Sequence, residues 1–252
     1  MNKNEVLSEL RKDPVGFLSD YSIYVEQEDK PNDPTALLGG QREINFSKLS
    51  EDFYKFVLHY GTYECYYYPY ITQFTDNSIP GKILNVGHCL VPIDAPVGTI
   101  VLTGGVNGCA LQINRTADGK YLIFMHDKNS RSMKTSEQKE VLLTYMQNYN
   151  KGVSFGDLSD YIIRIEDSEK GDSYPQEGFS YSKEYNHIVD LLKKSSKIPV
   201  PIFIPITVKT SENRWEIVFC PYNKKFKTGP SEYERIQDDN GKNICLSYSF
   251  NV

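Results

Sequence analysis

Thr103-Gly-Gly-Val-Asn-Gly-Cys109-Ala-Leu-Gln-Ile-Asn-Arg-Thr-Ala-Asp-Gly-Lys-Tyr-Leu-Ile-Phe-Met-His126 is the stretch on which the reading of this chain turns. Two apolar segments, 110–114 and 121–125, flank Arg115-Thr-Ala-Asp-Gly119, and an Asp-Gly pair between apolar runs is a strong hairpin signal. The spacing predicts two antiparallel strands. Nine residues run from Ala110 through Asp118 and seven from Gly119 through Met125, so the flanking residues Cys109 and His126 meet at the open end of the hairpin. The turn ahead of them is built of small residues. Gly108 permits a sharp backbone, and N–H groups of such a turn, around Asn107 and Gly108, can point at a developing negative charge. Gly104 and Gly105 are expected to leave room for a substrate side chain, and Thr103 ends the preceding apolar segment as a supporting polar group.

Working outward, the whole chain of 252 residues is read as a single domain with a real core: 39% of its residues are hydrophobic and 24% charged, without a long polar tract. Its portions are an N-terminal helical and aromatic part (1–80), core strands (81–130), and a helix with C-terminal strands (131–252). The 19 Tyr and 12 Phe against one Trp favour β-structure, where aromatic side chains pack across a pleated surface. A formal charge of −5 argues against a partner held by phosphate attraction, so nucleic acid is not expected. No membrane partner is expected either, because the most apolar run, 200–208, is too short to span and is broken by Pro201 and Pro205. The N-terminal residues have no secretory-type apolar stretch. Five cysteines, an odd number without a CxxC pair, read as a chain working with free thiols in a reducing compartment.

In chain order, Val6, Leu7 and Leu10 predict a helix over 4–12, ended by Asp13-Pro14. Turn-forming composition marks 26–40 as a loop. Leu49, Phe53, Phe56, Val57 and Tyr60 fall on one helical face and predict a second helix over 47–60, capped by Ser47 or Ser50. The tyrosines of 63–70 lack interleaved basic residues and are read as strand and packing residues rather than a base-stacking platform. Short buried strands are expected within 82–92 and 97–103. Thr135-Ser-Glu-Gln138 has capping-box spacing and opens a helix with Val141, Leu142, Tyr145, Met146 and Tyr149 inward. A strand over 161–166, a loop over 167–178, a helix over 182–194, and strands over 200–209, 214–220 and 244–250 follow, with a turn at Asp238-Asp-Asn-Gly241. The expected fold is α+β, a mixed β-sandwich or layered β-sheet core flanked by helices.

A thiol of ordinary pKa is mostly protonated at neutral pH, so a nucleophilic cysteine needs a nearby base, and His126 is placed to serve Cys109. A cysteine after a glycine also reads as a small buried hydrophobe, and a histidine at a strand end as a satisfied structural residue. Asp127 adjoins His126 but faces the other way if the strand continues. His88 and Cys89 are neighbours on a strand, face opposite ways, and read as packing residues. Nothing presents Glu64 or Cys65 near His59 as a nucleophile, and His187 falls in the helix over 182–194. There is no phosphate loop, GxSxG elbow or HExxH.

The order Thr103, Cys109, His126 resembles the Thr/Cys/His constellation of the chemoreceptor glutamine deamidase (CheD) family. Val106-Asn-Gly-Cys109 resembles the Leu-Ser-Gly-Cys motif of the deamidase toxins, cytotoxic necrotizing factor and Burkholderia lethal factor, and departs from it at Val106 and Asn107. The resemblance covers residues 103–126 and implies hydrolysis of a glutamine side-chain amide in a protein, with Cys109 as nucleophile, His126 as base and Thr103 in support. It implies a Cys thioester, a possible transglutaminase side activity, and no metal or organic cofactor. It further implies a bacterial toxin or effector, held in the bacterial cytoplasm before delivery and acting in host cytosol on a protein of the GTPase or translation-factor class; the short apolar runs lead to the expectation of a soluble protein. A Cys/His peptidase and a non-catalytic β-rich binding protein remain the alternatives. The sequence leaves the oligomeric state open.

Overall fold

The computed structural model describes residues 1–27, 38–70, 74–75, 83–84, 86–106, 108–127, 133, 135–166, 179–180, 201–225 and 232–252. Along the chain these form α1 (Lys3–Lys12), α2 (Pro14–Asp20), β1 (Ser22–Gln27), β2 (Gly40–Ser50), β3 (Phe53–His59), β4 (Cys65–Tyr67), β5 (Phe74–Thr75), β6 (Ile83–Leu84), β7 (Val86–Pro92), β8 (Ile100–Leu102), β9 (Ala110–Arg115) and β10 (Tyr121–Asp127). Next come α3 (Ser136–Tyr149), β11 (Tyr161–Glu166), β12 (Phe179–Ser180), β13 (Pro201–Ser211), β14 (Arg214–Lys225), β15 (Glu232–Arg235) and β16 (Leu246–Asn251). The strands pair into a mixed sheet in the order β1-β3-β2-β4-β8-β13-β14-β15, with β16 also on β14, a smaller sheet in the order β12-β11-β9-β10-β7, and the separate pair β5-β6. The fold is α+β with a β-rich core.

Alternation along the strands decides how the layers stack, because successive side chains of a strand face opposite ways. On β13 and β14, Phe203, Trp215, Ile217 and Phe219 face the smaller sheet. They form one core with its Leu111, Ile113, Leu122, Phe124, Ile163 and Ile165. The Phe124 and Trp215 rings meet across the gap at 5.7 Å, edge to face. The intervening residues Ile204, Ile206, Val208, Val218 and Cys220 face away and form a second core with Val6, Leu7 and Leu10 of α1 and Phe17 and Leu18 of α2. Ile123 and Met125, on the far face of the smaller sheet, are covered by Leu142, Tyr145 and Met146 of α3. The layers run helices, large sheet, small sheet, helix. Truncating a side chain such as Trp215 to Ala is expected to cost about 3–5 kcal/mol, since it is fully buried between the sheets.

The helix expected over 47–60 is instead the hairpin of β2 and β3. Tyr54, Phe56 and Leu58 are buried at a period of two, while Leu49 and Tyr60, which the helical reading placed inward, are 49% and 58% exposed. Leu49, Phe53, Phe56, Val57 and Tyr60 match helical spacing only because aromatic residues occupy both faces of β3, so that two periods fit one stretch. Ser50 Oγ donates to Asp52 Oδ1 in the tight turn rather than capping a helix.

At the N-terminus the helix over 3–12 forms with Val6, Leu7 and Leu10 buried, and Asp13 both ends it and caps α2. Its carboxylate accepts from the Gly16 N–H at 2.9 Å and Pro14 occupies the first turn of α2, a helix the sequence reading passed over. The capping box of α3 is present, with Thr135 and Gln138 bonded reciprocally. The expected loop over 167–178, the helix over 182–194 with His187, and most of the loop over 26–40 lie outside the described residues.

Candidate active site

The connection from β8 to β9 carries the chain from the large sheet to the small one, and Thr103, Gly108 and Cys109 sit along it, while His126 lies on β10. Ile100 and Leu102 belong to the helix-side core and Val101 to the inter-sheet core. The next residue of that inter-sheet parity is Thr103, which is fully buried. Mid-connection, Val106 and Phe203 exchange backbone hydrogen bonds of 2.7 and 3.1 Å, which pin the turn to β13. Gly108 then takes φ +75°, a left-handed conformation that glycine reaches without a Cβ penalty. Asn107 lies outside the described residues.

The hairpin forms as its sequence predicts, with His126 opposite Leu111 and Asp127 opposite Ala110. Opposed residues share a face, and Cys109 is two residues before Leu111, so Cys109 and His126 fall on the same inter-sheet face as diagonal neighbours. From the other sheet, Thr103 Oγ1 meets His126 Nδ1 at 2.9 Å, with both residues buried. The opposite ring nitrogen, His126 Nε2, is buried and has no hydrogen-bond partner among the described residues. When Nδ1–H donates to Thr103, Nε2 is left as a bare lone pair, the state a base needs toward a thiol. Burial lowers the His126 pKa to about 3, so the ring is neutral near neutral pH. His126 is therefore a neutral imidazole at rest rather than a preformed imidazolium.

Tyr70 also lies at the candidate site, although the 63–70 stretch as a whole reads as packing in the sequence. Tyr66, Tyr67 and Tyr68 are indeed buried. Tyr70 is different: it is 36% exposed, and its ring lies 4.9 Å from the His126 ring. Its hydroxyl pKa is raised, first by burial and then by the charge that Cys109 would carry. One tyrosine thus borders both members of the pair and faces solvent. The spacing of two that separates Tyr66, Tyr68 and Tyr70 was the available signal, since it continues the inward face of β4 to the site.

The glycines do not leave open room for a substrate. A Cβ on Gly104 would stand 3.0 Å from Tyr70 Cβ, and one on Gly105 would stand 2.3 Å from Ile202 Cγ2. The expected space is already filled by those neighbours, and the glycines exist to admit them. Cys109 and His126 are 2% and 1% exposed.

The other candidates separate as their chemistry requires. Asp127 faces away from the site and pairs with Arg164 at 3.4 Å, with Gln112 Oε1 accepting from Arg164 at 2.8 Å. His88 faces Tyr145 and Asn150 Nδ2, whereas Cys89 lies in the inter-sheet core. Glu64 is engaged by Lys3 and the Ile44 N–H, and burial pushes the neighbouring Cys65 thiol up to about 12, which leaves it inert.

No protein-family model and no curated protein matches the chain. Among solved structures it is similar to the C-terminal domain of CNFy from Yersinia pseudotuberculosis, a weak neighbour at 15% identity and a TM-score of 0.33. The match covers 66% of this chain and 59% of that one, so the chain spans less than two thirds of the neighbour's length. No helix among the described residues is long and apolar enough to cross a membrane.

Proposed function

We propose that the chain is a thiol-dependent protein-glutamine deamidase in which Cys109 is the nucleophile, His126 the base and Thr103 the group that orients the imidazole. The observation that carries the reading is the 2.9 Å hydrogen bond between Thr103 Oγ1 and His126 Nδ1, with Nε2 buried and, among the described residues, unpartnered on the face that Cys109 shares. The bond to Nδ1 would satisfy a structural histidine as well; what supports a base is the second nitrogen, Nε2, which has no partner among the described residues.

In the reaction the Cys109 thiol gives its proton to His126 Nε2 as sulfur attacks the side-chain carbonyl carbon of glutamine. The imidazolium returns that proton to the departing nitrogen, ammonia leaves, and a thioester remains. Water, deprotonated by the now neutral imidazole, hydrolyses the thioester to glutamate and restores the thiol. A primary amine in place of water gives the transglutamination product. The Thr103 contact holds for each step because the same Nδ1–H bond serves the neutral and the protonated ring. Access requires a rearrangement, because both reacting groups are buried; Tyr70, whose partly exposed ring lies 4.9 Å from that of His126, is the side chain proposed to move.

Burial favours a second reading. A cysteine 2% exposed inside the inter-sheet core is also what a non-catalytic binding protein would contain. The test is mass spectrometry of a host cytosolic extract incubated with wild type and with Cys109→Ala, each shown folded by circular dichroism. The expected outcome is a glutamine converted to glutamate by wild type alone. Cleaved peptides dependent on Cys109 would establish a peptidase instead, and identical extracts would leave the binding protein.

A further inference from the structure

We propose that Cys220 and Cys245 are a disulfide-forming pair, a modification site on the face of the large sheet away from Cys109. Register brings them together: β14 and β16 are antiparallel with Phe219 opposite Leu246, and one further step sets Cys220 opposite Cys245. Directly opposed residues of such a pair have Cα atoms about 4.5–5.5 Å apart, inside the ~4.4–6.8 Å that a disulfide spans. Both cysteines are free thiols in the structure, with Sγ atoms 3.1 Å apart. Closing the bond requires the sulfurs to approach by only about 1 Å.

The surroundings tolerate the change. Both thiols lie against the Leu18 carbonyl, Cys245 at 3.2 Å and Cys220 at 3.7 Å, and oxidation removes both as donors. Asn243 Nδ2 still donates to that carbonyl at 2.7 Å, so no buried acceptor is orphaned. Cys220 is 2% exposed, whereas Cys245 is partly exposed and is the sulfur an oxidant reaches first. With glutathione disulfide as oxidant, the Cys245 thiolate attacks one of its sulfurs and expels a glutathione thiolate. The Cys220 thiolate then attacks Cys245 sulfur and expels the second. The two thiol protons pass to the two departing thiolates, giving one disulfide and two reduced glutathiones. Burial raises the Cys220 pKa, so the partly exposed Cys245 is placed to react first.

Cys109 belongs to the inter-sheet core and Cys220 to the helix-side core, so the large sheet stands between the two sites. One fold can therefore carry a structural disulfide in an oxidising medium while Cys109 stays outside it. The bond would tie the start of β16 to the middle of β14 across a sequence separation of 25 residues.

The whole chain is equilibrated in glutathione buffer poised near about −180 mV, alkylated, digested without reduction and mapped by mass spectrometry. A Cys220–Cys245 linked peptide is expected, with Tm several degrees above that of the reduced protein. The Tm gain should vanish in Cys245→Ser. Recovery of the two as free thiols, a glutathione adduct stopping at Cys245, links to other cysteines, or a linked peptide without a Tm gain would each overturn the proposal.

Discussion

At the scale of single residues, the site depends on one contact that can be cut without disturbing shape. Thr103→Val keeps the volume of the side chain and removes its bond to His126 Nδ1. On the proposed reading kcat falls about 10–100-fold, the range seen when a hydrogen-bond partner that orients a metal-bound imidazole is removed, while KM stays near wild type. Thr103→Ser should restore most of the rate, and a variant that loses KM and kcat together would assign Thr103 a packing role only. Tyr70 gives the opposite sign. Tyr70→Ala should speed iodoacetamide alkylation of Cys109 at least tenfold by a change of access of about 1.4 kcal/mol or more, with Cys65 and Cys89 labelled as slowly as before. Equal acceleration of all three would mean a loosened core rather than an opened site. The residues of the pair were legible in sequence because a hairpin converts spacing into proximity. Tyr70 was not, because its contact with His126 depends on the alignment of β4 with β8, which pair in parallel with Tyr67 opposite Leu102, and no local pattern encodes a pairing between distant strands.

At the scale of elements, local chemistry was readable wherever one signal dominated. Thr135 and Gln138 announce α3 through their capping box, and Thr135→Ala should cost about 1 kcal/mol. Because α3 covers the face of the small sheet opposite Cys109 and His126, the alkylation rate of Cys109 should not change in that variant; urea unfolding and labelling together test both halves. The hairpin of β2 and β3 was misread because Phe53 and Tyr54 are adjacent and both buried, which blurs the period of two. Tertiary pairing with β1 in parallel and β2 antiparallel then decides the element, beyond what a short window of sequence holds. The connection 103–109 shows the same limit from the other side. Its glycines read as open space, yet Gly105 is small because Ile202 of β13 packs against its backbone. Gly105→Ala should therefore destabilise by about 1–3 kcal/mol through overpacking, measured as a lowered urea midpoint at unchanged m-value.

At the scale of the whole molecule, burying two neutral histidines makes stability depend on pH in a defined window. His88 and His126 are fully buried, and burial lowers their pKa values from 6.5 to about 4 and about 3. Between those values and 6.5 the unfolded chain binds protons that the folded chain refuses. Their contribution is therefore complete above pH 6.5 and is lost as pH falls, with a limiting slope of about 1.4 kcal/mol per pH unit for each histidine. The described carboxylates with lowered pKa, Asp118, Asp157 and Asp238, act in the same direction but only as pH nears the unfolded carboxylate range around 4. Among the described groups with a shifted pKa, the interval from pH 6.5 to about 4.5 therefore isolates the two histidines. His88 stands apart from the candidate site, against Tyr145 of α3 and Asn150, so His88→Gln removes one of the two protonation penalties and leaves His126 in place. Unfolding free energies from urea titrations at pH 6.5 and 4.5 should show the wild-type loss reduced by roughly half in His88→Gln. An unchanged loss would mean that His88 takes up its proton in the folded state, and that the layer between the small sheet and α3 opens to water before the molecule unfolds.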